Sequence, residues 1–165
     1  MDTIWDKYRR NSKGWEKDAI ARVHPKIYMG SIRHIDLFTF SSLGISHVVN
    51  CAEEWVSEGN WFTIEFPNRF ACIGAIDHKT EDITKWYPSF ENTMNQFLSD
   101  TACRSIYVHC ECGINRSGFL LLMYLCIKFG MSPEVVATNI LKQRPCALTN
   151  PSFRVQAIDY IKKHQ

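Results

Sequence analysis

Residues 109–118, His-Cys-Glu-Cys-Gly-Ile-Asn-Arg-Ser-Gly, place a nucleophile close to an anion-binding side chain. Cys110 is a strong nucleophile as a thiolate, and the planar guanidinium of Arg116 can bind two phosphate oxygens at once. Gly113 allows a backbone conformation in which the loop curls around an oxyanion. The pattern predicts a phosphate-binding loop with the Cys110 sulfur at its base, formed by Glu111, Cys112, Gly113, Ile114, Asn115 and Arg116.

The sequence on either side predicts a strand before this loop and a helix after it. Cys103–Val108 ends in β-branched and aromatic residues typical of a buried strand. Gly118–Phe129 is apolar nearly all round, as in a buried helix, and Gly130 is expected at its end. Amide N–H groups and the helix dipole both favour an anion at such a junction. The same surroundings should favour the thiolate form of Cys110.

A phosphoryl transfer to Cys110 also needs an acid that protonates the departing oxygen, and Asp77 is the expected one. Asp77 follows the apolar run 73–76 and precedes the polar stretch 78–82. We therefore expect it where a strand opens into a loop, which is where α/β proteins form their sites. Glu81 and Asp82 are the rivals, but both precede a predicted helix whose dipole they would complement.

Two other interpretations of the loop account for fewer of its residues. A buried, inert Cys110 is common in proteins, but it leaves Gly113 and Arg116 unexplained. Metal binding by His109, Cys110 and Cys112 would need a second ligand pair, which the sequence does not show. A zinc deaminase would need another cysteine shortly after Cys146, and none follows. We expect neither a metal nor an organic cofactor.

Length and composition are those of a small globular protein. The chain has 165 residues and a net charge of +2, so nothing indicates a general affinity for nucleic acid. The most apolar helix is too short to span a bilayer. Seven cysteines without paired spacing, and no secretory signal, predict a reducing intracellular compartment such as the cytoplasm.

Hydrophobic patterning alternates short strands with helices along the chain. Strands are expected at 26–30, 45–51, 103–108 and within 61–76, where Pro67-Asn68 forms a turn. Helices are expected at 35–43, 86–99, 118–129, 132–144 and 150–161. This alternation predicts a single α/β domain in which helices flank a central, mostly parallel sheet.

From about Ile27 to its C-terminus the sequence resembles the dual-specificity phosphatases, within the cysteine-based protein tyrosine phosphatases. The similarity rests on the loop 109–118 and on Ile27–Ser31, Ile45–Asn50, Asp77 with Tyr87, Arg144-Pro145, Asn150, Phe153 and Gln156. Within this family, Ile114–Gly118 and Asn150–Phe153 are similar to the poxvirus-type enzymes.

The resemblance implies a two-step hydrolysis of phosphoprotein substrates. Cys110 would form a phosphocysteine, with Arg116 holding the equatorial oxygens. Asp77 would protonate the leaving oxygen and then activate water. Ser117 would hydrogen-bond the departing sulfur, and His109 would brace the loop and help keep the thiolate. A short chain also implies a shallow pocket, open to phosphotyrosine, phosphoserine and phosphothreonine alike.

Three other functions are alternatives for a domain of this kind. An RNA 5′-phosphatase also carries an Asn before the loop arginine, as Asn115 does here, but such enzymes are usually more basic. A phosphoinositide phosphatase would favour basic residues within the loop, and positions 111–115 supply none. A non-catalytic phosphate reader would lack Cys110 or Arg116, and both are present.

The sequence divides at about residue 22, with an N-terminal helical segment at 1–22 and the catalytic domain at 23–165. Ile4, Trp5 and Tyr8 form an apolar patch on a short amphipathic helix, with Lys7, Arg9 and Arg10 on its other side. Such a helix is marginal alone. It packs either on its own domain or on a second subunit, which would give a two-fold homodimer, as in poxvirus-type relatives.

Cys51 is a predicted redox partner of Cys110. It ends the expected strand 45–51, which should neighbour the strand that leads to Cys110. In some family members a second cysteine lies beneath the loop at this place. An oxidised Cys110 could then be captured as a disulfide. The alternative is that Cys51 is an inert core residue.

Overall fold

A five-stranded sheet in the order β1-β2-β5-β3-β4 forms the centre of the molecule. This computed structural model describes residues 5, 18–53 and 60–165. The strands are β1 (Ala21–His24), β2 (Ile27–Gly30), β3 (His47–Ala52), β4 (Phe70–Ala75) and β5 (Ile106–His109). β1 is antiparallel to β2, and the other pairs are parallel. The predicted α/β fold with a mostly parallel sheet is confirmed.

Six α-helices lie in the described part of the chain: α1 (Leu37–Leu43), α2 (Asn60–Glu65), α3 (Tyr87–Ser99), α4 (Arg116–Phe129), α5 (Pro133–Gln143) and α6 (Pro151–His164). Short 3-10 helices occur at Ile32–His34, Pro67–Arg69 and Ile83–Trp86. No helix in these described ranges is long and apolar enough to cross a membrane.

The sheet separates two apolar clusters. Ile106 and Val108 of β5 point into the larger cluster, which the apolar faces of α3, α4, α5 and α6 complete. Tyr107 points to the other face, where it packs with Phe40 of α1 and Phe62 of α2. This alternation follows from the two-residue period of a strand. Helices therefore cover both faces of a sheet whose central strands, β3 and β5, are buried along their whole length.

Helix α4 is the most buried helix, as its apolar sequence predicts. Every residue from Arg116 to Cys126 is buried, because α4 lies between the sheet and the neighbouring helices α5 and α6. It ends at Gly130, whose φ of 66° lies in the left-handed region that glycine adopts without strain. The helix thus extends from the core to the functional loop at its N-terminus.

The predicted helix starts are confirmed by their caps. Ser132 accepts a hydrogen bond from the Val135 N–H at the start of α5. Asn150 accepts two, from the N–H groups of Ser152 and Phe153, at the start of α6. These side chains satisfy donors that the first helical turn leaves free.

One local prediction was wrong and one element was missed. Residues 61–65 form helix α2 instead of part of a strand. Trp61 and Phe62 have strand propensity, but Phe62 packs on Phe40 and on Phe66, which is four residues along and therefore on the same helical face. The edge strand β1 was not predicted, because Ala21–His24 is too short to show a clear period.

Of the apolar patch predicted near the N-terminus, only Trp5 is described. It is 4 % exposed and belongs to the larger cluster of its own chain. The Arg154 guanidinium lies 4.8 Å from the centre of its ring. This contact is the one expected if the segment packs on its own domain. Ile4, Tyr8, Lys7, Arg9 and Arg10 lie outside the described residues.

Candidate active site

The candidate site lies at the carboxyl ends of β3 and β5. These strands are parallel, and Asn50 is paired with His109, so the next residues, Cys51 and Cys110, lie side by side. Cys110 is 2 % exposed and lines a cavity of about 380 Å³. Asp77 and Arg116 line the same cavity. The three residues assigned to the chemistry from the sequence are thus brought together.

Residues 110–115 curl tightly between β5 and α4. Gly113 has a φ of +64°, and a Cβ atom on it would lie 2.2 Å from the carbonyl oxygen of Gly30. Only glycine fits here, because both the backbone conformation and the close approach exclude a side chain. The predicted role of Gly113 in shaping the loop agrees with this geometry.

The carbonyl oxygens of the loop are bonded to groups outside it. The Ile32 N–H donates to the Glu111 carbonyl at 3.2 Å, and the Leu148 N–H donates to the Ile114 carbonyl at 2.9 Å. The carbonyls of Cys112 and Gly113 accept from one arginine, Arg144. With these carbonyls engaged, the loop N–H groups are the backbone groups suited to bind an oxyanion.

Arg144 was not identified as a site residue from the sequence. Its side chain is fully buried, with Nε 3.1 Å from the Gly113 carbonyl and an Nη 2.9 Å from the Cys112 carbonyl. Its other Nη is 2.7 Å from a carboxylate oxygen of Asp18. The sequence offered one signal, the Arg144-Pro145 pair, which is part of the similarity to the family. This pair does not indicate which groups Arg144 contacts.

Arg116 and Ser117 begin α4 with their side chains next to the cavity floor. Arg116 donates from an Nη to the Ala75 carbonyl at 3.2 Å, which fixes the guanidinium over the end of β4. The Ser117 Oγ is 3.4 Å from the Cys110 Sγ. This contact is the one expected of a hydroxyl that stabilises the sulfur as a leaving group.

Asp77 is held by two asparagine side chains. The Asn115 side-chain amide donates to one carboxylate oxygen at 3.1 Å, and the Asn150 amide donates to the other at 3.2 Å. Asn115 was predicted as part of the phosphate-binding loop. Its side chain bridges the loop to Asp77 and, through its oxygen, to the N–H groups of Thr149 and Asn150.

The rival acids have structural partners. Asp82 caps the 3-10 helix Ile83–Trp86 by accepting from the Thr84 N–H at 3.0 Å. Glu81 forms an ion pair with Lys85, also at 3.0 Å. Neither lines the cavity that holds Cys110. Both acids thus have structural contacts at the start of this helix, in agreement with the alternative to a catalytic role.

His109 is fully buried beneath the loop. Its Nδ1 lies 2.9 Å from the Cys110 carbonyl, which requires the proton to be on Nδ1. Burial lowers the pKa of His109 to about 4, so the ring is neutral at pH 7. It can brace the loop as a hydrogen-bond donor, but it adds no positive charge near the Cys110 sulfur.

Cys51 is fully buried beside Cys110, and burial raises its pKa well above the ordinary value. It is therefore a protonated thiol at rest. All seven cysteines are free thiols. Within the described residues, no three His, Cys, Asp or Glu side chains converge as a metal site would require.

Residues 27–163 match the model of the dual specificity phosphatase catalytic domain. The chain belongs to this family, so the predicted family is confirmed. Rat protein phosphatase Slingshot homolog 3 is 26% identical over 148 residues. Human dual specificity protein phosphatase 8 is 30% identical over 145 residues. These alignments cover 88% and 86% of this chain but 21% and 22% of the relatives, so the chain spans about a fifth of their length.

The fold has close matches among solved structures. Human DUSP28 superposes with a TM-score of 0.73 at 21% identity, covering 88% of this chain and 94% of that one. The predicted resemblance to poxvirus-type enzymes is not tested by these animal relatives and stays a prediction.

Proposed function

We propose that this chain hydrolyses phosphotyrosine, phosphoserine and phosphothreonine in proteins through a phosphocysteine intermediate. The observation that carries the proposal is one cavity lined by Cys110, Arg116 and Asp77. Family membership supports the same reaction. A nucleophile, an anion-binding fork and a proton donor are the three groups that phosphomonoester hydrolysis by a thiolate needs.

In the first step the Cys110 thiolate attacks phosphorus, and the bond from phosphorus to the substrate oxygen breaks. Asp77, entering this step protonated, gives its proton to the departing oxygen. Arg116 and the loop N–H groups hold the non-reacting oxygens throughout. The products of this step are the free alcohol or phenol, a phosphocysteine and an Asp77 carboxylate.

In the second step water attacks the phosphocysteine, and the sulfur–phosphorus bond breaks. The Asp77 carboxylate takes a proton from that water, which returns it to its starting form. The Ser117 hydroxyl, 3.4 Å from the sulfur, donates to the departing thiolate. Inorganic phosphate leaves, and no other reactant is consumed.

The open rim of the cavity supports a broad range of phosphorylated side chains. Glu53, Asp77, Glu111 and Cys112 are exposed around it, while Cys110 lies beneath them. An opening bordered by exposed side chains, with no described wall that fits an aromatic ring, supports access for substrates other than phosphotyrosine. Short phosphoserine and phosphothreonine side chains can then approach the sulfur as well.

The same rim argues against the alternative of an RNA 5′-phosphatase. Glu53 and Glu111 line the cavity, and Arg116 is the only Lys or Arg among its described lining residues. A polyphosphate or an RNA backbone would meet carboxylates where it needs cations. The orientation of Asn115 toward Asp77 adds nothing specific to RNA.

The test compares substrates on the purified chain. We expect hydrolysis of an aryl phosphate and of phosphotyrosine and phosphothreonine peptides, and little release of phosphate from triphosphate-ended RNA. Cys110→Ser should abolish all activity, because a hydroxyl is a far weaker nucleophile here. Cys72→Ser, which changes an exposed cysteine on β4, should keep it. A preference for the RNA end would overturn the assignment of protein substrates.

A further inference from the structure

The segment before β1 lies directly behind the phosphate-binding loop, where it supplies a carboxylate. Asp18 accepts from the Arg144 guanidinium at 2.7 Å, and its side chain is only 12% exposed. The pair joins residues 126 positions apart in sequence. Asp18 lies before residue 27, where the family match begins, and within the segment 1–22 that the sequence set apart from the catalytic domain.

Asp18 is the counter-ion of a fully buried charge. Arg144 is 0% exposed, and its other donors go to the carbonyls of Ala19, Cys112 and Gly113. Carbonyl groups satisfy its hydrogen bonds but do not neutralise it. Removing one partner of a buried pair leaves the other uncompensated, so Arg144 would change its position or draw water behind the loop.

The charge state of Asp18 fits this arrangement. Burial alone raises the pKa of its carboxyl, but hydrogen bonds from Arg144 and Ser31 outweigh burial and hold the pKa below its ordinary value. The carboxylate is therefore ionised at neutral pH. Arg33 also contacts it at 3.0 Å, from the exposed side.

A second set of bonds connects Asp18 to the opposite side of the loop. The Ser31 hydroxyl donates to the Asp18 carboxylate at 2.8 Å. A Cβ on Gly113 would lie 2.8 Å from the Ser31 nitrogen, so this backbone forms one wall of the loop. The next residue, Ile32, donates to the Glu111 carbonyl. Asp18 thus holds two groups that contact the loop, Arg144 and the Ser31 turn.

We propose that Asp18 is a positioning residue of the active site, and that the catalytic unit begins at or before it. Asp18 fixes Arg144, Arg144 fixes the carbonyls of Cys112 and Gly113, and those carbonyls set the direction of the loop N–H groups. Oxyanion binding depends on that direction. The expected effect of Asp18 on turnover rests on the proposed phosphatase function. The expected effect on anion binding does not, since binding can be measured without turnover.

The experiment uses the full chain with Asp18→Asn, which keeps the shape of the side chain and removes its charge. The control is Asp36→Asn, which removes a carboxylate of the same region that caps α1 through the Thr39 N–H and has no contact with the loop. Tungstate, a phosphate-like oxyanion, is the probe. Its affinity is measured by calorimetry in a Cys110→Ser background, and kcat/KM for an aryl phosphate is measured with Cys110 intact.

Asp18→Asn should weaken tungstate binding about tenfold, which is a fraction of the full cost of leaving a buried charge unpaired, because the change reaches the anion only through Arg144 and the loop. It should lower kcat/KM by a similar factor at a temperature where circular dichroism shows a fully folded chain. Asp36→Asn should still cap α1, because asparagine caps a helix as well as aspartate does, and tungstate affinity should stay within about twofold, because distant sites act independently. Asp18→Asn with wild-type tungstate affinity would overturn the proposal.

If Asp18→Asn does not fold, Asp18→Glu gives the answer. It keeps the charge but moves the carboxylate by one methylene, so the chain should fold and tungstate binding should weaken about threefold. Unchanged binding in Asp18→Glu, together with a lower thermal midpoint, would show a purely structural role and contradict the proposal. A wild-type chain that binds tungstate but does not hydrolyse phosphate esters would contradict the proposed function alone.

Discussion

The side-chain amide of Asn115 donates to the carboxylate of Asp77 at 3.1 Å, across 38 residues of sequence. The bond links the expected phosphate-binding loop to the loop that carries the expected proton donor. Asn150 fixes the second oxygen of the same carboxylate at 3.2 Å. Two neutral amides thus place the expected proton donor relative to the expected nucleophile.

Asp77→Asn should lower kcat about 10²–10³-fold, a typical cost for losing a general acid. The loss should shrink for aryl phosphates with good leaving groups, because these need no proton to depart. Rates across a series of aryl phosphates provide the measurement, with Glu81→Gln and Asp82→Asn as controls expected to keep the wild-type pattern. An equal loss for good and poor leaving groups would move the role away from Asp77.

Asn115→Ala should lower kcat about tenfold by releasing Asp77, while tungstate affinity in a Cys110→Ser background stays within about twofold. The reason is that Asn115 is bonded to Asp77 and to the turn at Thr149, as a bridge between loops. When Asn115→Ala is added to Asp77→Asn, kcat should fall little further, because both residues act on the same proton transfer. A large drop in tungstate affinity would instead return Asn115 to direct phosphate binding.

Much of this site follows from the sequence because its signals are local. The strand, the glycine-containing loop and α4 are contiguous, so residue types alone predict Cys110, Gly113 and Arg116 next to a helix N-terminus. The capping residues Ser132 and Asn150 act within one turn, and they too were predicted.

The remaining features depend on contacts that no local pattern encodes. Asp18 and Arg144 meet only after the chain has folded, and nothing in either neighbourhood indicates the other. The direction of the Asn115 side chain is set by the turn at Thr149. The helix at 60–65 was missed because aromatic residues with strand propensity pack on α1 at helical spacing.

His109 should make the protein less stable as the pH falls from about 6.5 to about 4. Burial lowers its folded pKa from 6.5 to about 4. In this window the unfolded chain binds a proton that the folded chain does not. The free energy of unfolding therefore decreases as the pH is lowered. The shift corresponds to ~3 kcal/mol in full.

Denaturant unfolding of wild type and His109→Gln between pH 4 and 7 measures this effect. The difference between the two proteins should change with pH, because only wild type carries the buried titrating ring. His78→Gln changes an exposed histidine. Its free energy of unfolding should depend on pH in the same way as that of wild type. A pH-independent difference between wild type and His109→Gln would contradict a neutral, buried His109.

Cys51 is predicted to protect Cys110 from irreversible oxidation. Peroxide converts the Cys110 thiolate to a sulfenic acid, and the Cys51 thiol then displaces water to form a disulfide. The two residues follow paired positions of adjacent parallel strands, which brings them close. After peroxide and a thiol reductant, wild type should recover activity, whereas Cys51→Ser should not.

Cys103→Ser, at a buried cysteine before β5 and so at the opposite end of the sheet, is the control and should recover as wild type does. Equal recovery in wild type and Cys51→Ser, or a mapped disulfide that omits Cys51, would identify Cys51 as an inert core residue.

A covalent phosphoryl group on Cys110 is the central claim of this account. Asp77→Asn, given an aryl phosphate with a good leaving group, should form the intermediate quickly and hydrolyse it slowly, because the second step lacks its base. Acid quenching followed by peptide mass spectrometry should find one phosphoryl group on the peptide that contains Cys110, and none in a Cys110→Ser chain. Product release with no phosphoryl group on Cys110, or with the group on another residue, would contradict the mechanism.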